Sequence, residues 1–198
     1  MGYNVTMLQS SFYNRVGGVI GPDACEQLAL QVNNVPKDGV ILDLECGEGR
    51  STLSMAFALN EDHGNVKIIA VDTHVTDLRS STPYEDGTIM KFLKHLQHYK
   101  VMSRVIPMLM PTSSVLQVLN KRCANLVVVN HRDNIVSTYC NLAIALNAIR
   151  RNGRIAVCYP SRNNELEQKI TSYMETFYFT LIVSRSGIMI YECSKKGG

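Results

Sequence analysis

The sequence of 198 residues carries little net charge, no long apolar run and no paired cysteine motif, and each shortage removes a class of function. Twenty basic against seventeen acidic side chains leave a formal charge of +3. That is too small by itself to mark a polyanion partner, so nucleic-acid binding is not indicated. No apolar stretch approaches the ~20 residues that span a bilayer, and the N-terminus has no basic segment followed by an apolar one. The expectation is a soluble, cytoplasmic protein without membrane contact. The six cysteines, Cys25, Cys46, Cys123, Cys140, Cys158 and Cys193, form no CxxC pair, and several fall inside apolar runs such as "RIAVCY". They read as buried thiols of a reducing compartment. There is no internal repeat, low-complexity stretch or linker, and the length suits a single domain over residues 1–198.

Five short runs rich in β-branched residues are present: "GVILDLE" (39–45), "VKIIAVD" (66–72), "RVIPMLM" (104–110), "NLVVVN" (125–130) and "GRIAVCY" (153–159). They are continuous rather than alternating, which is the pattern of strands covered on both faces. Helical spacing separates them: residues 21–32, residues 50–60, the stripe Ile89, Phe92, Leu93, Leu96 and Tyr99, the stripe Ile135, Leu142, Leu146 and Ile149, and residues 164–176. Alternating strands and helices imply a doubly wound, mostly parallel α/β sheet. The end breaks the rhythm. "FYFTLIV" (177–183), "SRSG" and "IMIYEC" (188–193) form a hairpin pattern, so the last two of seven expected strands are antiparallel.

An open parallel sheet binds ligands beyond the carboxyl ends of its strands. Strand one ends in Glu45, Cys46, Gly47, Glu48 and Gly49, strand two in Asp72, Thr73 and His74, strand three near Ser113 and Ser114, strand four in Asn130 and His131, and strand five in Tyr159, Pro160 and Ser161. Gly47 and Gly49 permit a sharp turn and a close ligand approach into a helix N-terminus. Asp72 stands where an acid that holds ribose hydroxyls is expected. These residues read either as a tight strand-to-helix turn with a loop cap or as a nucleoside-cofactor site. Glycine pair, strand, helix and acid in that order favour the site. Asp43 and Glu48 would repel a pyrophosphate but suit an ammonium, so the electrostatics favour an amino-acid-bearing cofactor over a dinucleotide.

The motifs "ILDLECGEGRST", "IIAVDTH", "NLVVVNHRD" and "RRNGRIAVCY" resemble those of class I S-adenosylmethionine-dependent methyltransferases, closest to the small-molecule, catechol-type O-methyltransferase group. The resemblance spans about residues 20–193. It implies a Rossmann-like methyltransferase fold with an antiparallel C-terminal hairpin, S-adenosylmethionine as cofactor and S-adenosylhomocysteine as product. It further implies that Asp43, Glu45, Cys46, Gly47 and Gly49 line the methionine end, with Ser51 on its carboxylate. Asp72 is implied at the ribose, Thr73 at the adenosine, Ser113 and Ser114 at the adenine edge, and Asn130 with His131 on the far wall.

Three departures from the family, at five positions, stand out. Glu45 replaces a glycine. Asn130, Tyr159 and Pro160 replace the carboxylate and Asp-Asn pair of metal-dependent members, so no metal site is expected. Asp133 replaces a basic residue two positions after His131.

His131 and Asp133 are the candidate catalytic residues, His131 reading as a base or as a wall residue beside the adenine. His74 reads as acceptor-pocket lining or as a solvated loop residue, and His63, His95 and His98 as solvated. The basic runs "LKHLQHYK" and "LNKRC" read as solvated helix faces. The first twenty residues, with Tyr3, Phe12 and Tyr13 among glycines, suit a lid or an oligomer contact such as a homodimer. The expected activity is metal-independent methyl transfer to a small-molecule acceptor. The competing expectation is a degenerate relative that binds cofactor or product weakly and serves as a partner or scaffold.

Overall fold

β-Branched runs can stay continuous only if both faces of the sheet are covered, and the computed structural model shows how they are. It describes residues 12–73, 88–131, 134–160, 163–185 and 187–193. His74, Asp133, Ser161 and Tyr3 therefore lie outside the described residues. Seven strands, β1 (Val40–Leu44), β2 (Lys67–Asp72), β3 (Val105–Leu109), β4 (Ala124–Asn130), β5 (Ile149–Cys158), β6 (Phe179–Arg185) and β7 (Ile188–Cys193), form one sheet in the order β3-β2-β1-β4-β5-β7-β6. β1 to β5 are parallel, and β7 pairs antiparallel with both β5 and β6. The strand order reverses between β1 and β4, which places the ligand crevice at their carboxyl ends.

Successive side chains point to opposite faces, so each strand feeds two cores. Ile41, Ile68, Leu126, Val128 and Ala156 pack against α1 (Pro22–Val32), α2 (Arg50–Ala58) and α3 (Thr88–His98) through Leu28, Leu53, Phe92 and Leu96. Leu42, Leu44, Val127, Val129, Ile155 and Val157 face α4 (Val115–Val118), α5 (Ile135–Ala148) and α6 (Asn164–Glu175) through Val115, Leu142, Ala145, Ile170 and Met174. Helix starts follow local chemistry. Pro22 opens α1, where its missing N–H costs nothing, and the Asn134 and Asn163 side chains cap α5 and α6 by accepting from the first-turn N–H groups.

The hairpin of β6 and β7 and the helical segments agree with the sequence expectation within a few residues. β5 starts earlier, at Ile149, because an irregularity in its pairing with β4 lets an extended lead-in join the ladder. Among the described residues no helix is long and apolar enough to cross a membrane. Of the six cysteines, Cys25, Cys46 and Cys158 are buried, whereas Cys140 is exposed.

Candidate functional site

The turn after β1 reverses the chain within a few residues, and its backbone requires it. Gly47 and Gly49 adopt φ of 57° and 99°, and Glu45, which is not glycine, adopts 56°. A Cβ on Gly49 would lie 2.7 Å from the Phe92 ring, so α3 packs directly on the loop only because that position is bare.

Four directions hold the loop. From β2, Asp72 Oδ2 accepts from the Gly47 N–H at 2.9 Å. From α3, Lys91 Nζ meets Glu48 Oε1 at 3.2 Å, and a ring nitrogen of His95 lies 3.0 Å from the Glu48 carbonyl. From α5, Ser137 Oγ and Asn141 Nδ2 donate to Glu45 Oε1 at 3.0 and 2.8 Å. From the N-terminal side, the Gly17 N–H donates to Glu48 Oε2 at 3.1 Å.

Arg50, the first residue of α2, joins that N-terminal segment to the loop. Its Nε donates to the Val16 carbonyl at 2.8 Å and its Nη1 to the carbonyls of Gly18 and Ile20, each at 2.9 Å. Its guanidinium also lies 4.3 Å from the centroid of the Tyr13 ring. Phe12, Val16 and Ile20 are buried in the same core as α1 and α2. Residues 17 to 20 thus form one wall of a cavity of about 330 Å³ whose opposite side is the loop itself, with Glu45, Cys46, Gly47, Glu48, Ser51, Thr88 and Asn130 in its lining.

Behind the cavity lies a buried polar cluster. Asp43 is fully buried and accepts from Ser51 Oγ at 2.8 Å, Thr52 Oγ1 at 2.6 Å and Asn130 Nδ2 at 2.9 Å. Burial pushes its carboxyl up to about 6, against the opposing pull of those three donors. Asn130 Nδ2 also donates to the Leu44 carbonyl at 2.9 Å. Three acceptors around Nδ2 orient the amide, and its Oδ1 accepts from no described residue. Asn130 is only 3% exposed and lines the cavity.

The expected site residues divide accordingly. Glu45, Cys46, Gly47, Ser51 and Asn130 meet at the cavity. Asp43 lies behind it because three donors hold its carboxylate inward. Glu48 lines the cavity, yet its carboxylate is shared between Gly17 and Lys91. Gly49 faces Phe92, and Asp72 backs the loop. Thr73 and Ser113 are exposed and Ser114 is half-buried, toward the β2 and β3 side of the crevice.

His131 turns away from this cavity. Its ring Nδ1 pairs with the Thr138 hydroxyl, and its backbone N–H donates to the Cys158 carbonyl. It lines a second, shallower cavity of about 240 Å³ with Ile135, Asn163, Glu165, Leu166 and Lys169. Tyr159, at a position where metal-dependent members carry a carboxylate, is fully buried and donates its hydroxyl to Glu167 Oε1 at 2.9 Å. Among the described residues no three of His, Cys, Asp and Glu are grouped as a metal would require.

Sequence reasoning did not single out Arg50, Thr52, Ser137 and Asn141. Only the hydroxyl pair Ser51 and Thr52 directly after the loop carried any signal. The partners of Glu45 lie more than ninety residues away.

No protein-family model matches the chain, and none of the curated proteins matches it. Solved structures do. An S-adenosylmethionine-dependent O-methyltransferase from Thermotoga maritima superposes with a TM-score of 0.70 at 13% identity, covering 96% of this chain and 72% of that one. An rRNA methylase from Streptococcus thermophilus gives 0.60 at 14% identity over 87% and 95%. A protein from Streptococcus mutans, assigned as a methyltransferase and solved with S-adenosylhomocysteine, gives 0.56 at 13% over 97% and 99%. At such identities the likeness is one of fold. The fold is that of the class I S-adenosylmethionine-dependent methyltransferases, Rossmann-like with the antiparallel C-terminal hairpin.

Proposed function

We propose that this chain is a methyltransferase that uses S-adenosylmethionine and acts on a small-molecule acceptor without a metal ion. The observation that carries the reading is the cavity between the glycine loop and residues 17 to 20. It opens where the strand order reverses, and two residues with acceptor oxygens, Glu45 and Asn130, lie in its lining. Such a corner suits an ammonium, which is donor-only, and disfavours a phosphate.

In this reading Glu45 and Asn130 hold the amino group, Ser51 and the loop backbone lie along the methionine portion, and Asp72 both braces Gly47 and serves the ribose. Thr73, Ser113 and Ser114 serve the nucleoside end. When bound, the cofactor supplies an electrophilic methyl group on a sulfonium. The chain supplies orientation, water exclusion by residues 17 to 20, and a place for the acceptor beside the end of β4. No proton transfer is assigned to His131 in this reading, because its ring, paired with Thr138, faces the second cavity. Metal independence is supported by the Asn130 amide, committed to Asp43 and the Leu44 carbonyl, and by the Tyr159 hydroxyl, committed to Glu167.

Those same commitments favour a second reading, a non-catalytic relative that binds the cofactor or its product. Calorimetric titration with S-adenosylmethionine, S-adenosylhomocysteine and NAD tests the site. Binding of the first two but not NAD is expected, and preference for NAD would overturn the assignment. Methyl transfer to a panel of small hydroxylated acceptors should be insensitive to Mg²⁺ and EDTA, and chelator-sensitive turnover would refute the metal-free mechanism.

A further inference from the structure

We propose that the end of the sheet opposite the crevice is a docking surface for single-stranded RNA. At that end the starts of β4 and β5 bring together four exposed cations, Lys121, Arg122, Arg150 and Arg151, from two segments about thirty residues apart. The pairing between these strands runs from Ala124↔Ile149 directly to Leu126↔Arg154, so residues 150 to 153 of β5 form a bulge opposite Asn125. The Arg122 N–H donates to the Asn147 carbonyl at 2.9 Å, and Arg150 Nε donates to the Arg122 carbonyl at 3.2 Å, which pins the two basic turns against each other. Arg122 (φ 55°) and Asn152 (φ 69°) both adopt the left-handed backbone that glycine would hold more cheaply.

Charge pairing separates this cluster from its neighbours. Arg154, further along β5, is matched by Glu192 at 3.0 Å and by Gln31 at 2.8 Å. None of Lys121, Arg122, Arg150 and Arg151 forms a salt bridge among the described residues. Three of the four are guanidinium groups, whose planar fork matches phosphate oxygens.

The strand directions add a second chemistry. β6 begins at this same end, since Phe179 pairs with Cys193 and Arg154 with Glu192. Phe177 and Tyr178, immediately before it, are 45% and 63% exposed. They stand two strand spacings, ~10 Å, from β5. Cations for a phosphate chain beside aromatic faces for bases are what single-stranded nucleic acid requires. An acidic protein would use the charges but not the rings. β4 has seven residues at ~3.3 Å each, which puts this surface ~20 Å from the crevice. It docks a partner and does not deliver an acceptor.

The test is fluorescence anisotropy with a labelled uridine oligomer of about 20 nucleotides, titrated between about 50 and 200 mM salt. No cofactor is present, so the result is independent of the methyltransferase reading. Binding should weaken with a log–log slope near −3, from about −0.7 per phosphate met. Arg151→Glu and Lys121→Glu should each lower affinity at least about fivefold and flatten that slope, and Tyr178→Ala should weaken binding with the slope unchanged. Lys94→Glu, an equal charge change at an exposed position on α3, should leave affinity unchanged. Three results would each overturn the proposal: no binding at low salt, equal losses in Lys94→Glu and Arg151→Glu, or binding to phosphatidylserine vesicles with none to RNA.

Discussion

Glu45 is the residue at which the fold and the proposed chemistry pull in opposite directions, and replacing it with glycine separates the two. Its backbone stands at φ 56°, which costs a residue with a Cβ ~1–2 kcal/mol relative to glycine. Glycine recovers that cost but loses ~0.5–1 kcal/mol to greater unfolded-chain freedom, so the backbone change is a gain of at most ~1.5 kcal/mol. Against it stands the carboxylate oxygen that receives Ser137 Oγ and Asn141 Nδ2. Asn141 is 2% exposed, and removing its acceptor leaves a buried donor unsatisfied at ~1–3 kcal/mol, with a smaller loss at half-buried Ser137. Glu45→Gly should therefore destabilise the protein by about 1–2 kcal/mol net, read as a lower urea midpoint at unchanged slope. Glu45→Ala loses the same hydrogen bonds while keeping the unfavourable φ, and should be ~1 kcal/mol worse than Glu45→Gly. Glu45→Gln, which keeps an acceptor oxygen, should recover most of the loss. In the same variants, affinity for S-adenosylmethionine should fall by ~0.5–2 kcal/mol as the contact to its amino group is lost. A glycine variant as stable as the parent would refute the structural reasoning. Tighter cofactor binding in that variant would show Glu45 obstructing the site and move the protein to the non-catalytic reading.

Asp72→Ala removes the acceptor that braces the Gly47 N–H at 2.9 Å as well as the proposed ribose contact, so calorimetry should show cofactor affinity reduced by at least ~1 kcal/mol. An unchanged dissociation constant would sink that assignment. Arg50→Ala releases three carbonyls of residues 16 to 20, and limited proteolysis should then cut before α1 well ahead of the remaining fold, with weakened cofactor binding. Arg50→Lys should rescue little of this, because one ammonium cannot span the positions of a guanidinium. If both variants resist cleavage as the parent does, Arg50 is not what holds the segment. Asp43 carries a raised native carboxyl, about 6 against 3.8. Between about pH 4 and pH 6 the native state keeps a proton that the unfolded chain has released, so this group's contribution to stability falls as pH rises through that window. Relative to Asp43→Asn, the parent should lose on the order of 3 kcal/mol between pH 4 and pH 7, because each tenfold difference in proton affinity between the two states is worth ~1.4 kcal/mol. Parallel urea midpoints across that range would contradict it.

Strand and helix order was legible in the sequence because burial on both faces demands continuous apolar runs, and "ILDLE", "IIAVD" and "NLVVVN" can be buried in no cheaper way. The final hairpin was legible for a local reason too, since two strands joined by a short turn can only be antiparallel. The glycine loop and the acid at the end of β2 announced a crevice, because tight turns and close approaches restrict residue type.

Which way each carboxylate points was decided only by tertiary structure. Asp43, Glu45 and Glu48 read alike along the chain as an acidic turn. In the fold, Asp43 is drawn inward by Ser51, Thr52 and Asn130, Glu48 is shared between Gly17 and Lys91, and Glu45 remains in the cavity lining under donors from α5. His95, read as solvated, meets the loop carbonyl of Glu48. His131 and Asn130 are adjacent in sequence, yet alternation along the end of β4 sends them to different cavities. The basic run at 121–122 read as a solvated helix face and Arg150 and Arg151 carried no charge reading of their own, and only strand pairing sets the two pairs side by side. Local pattern determines which residues are buried. The partner of a buried polar group is chosen by segments tens of residues away, and no local pattern records that choice.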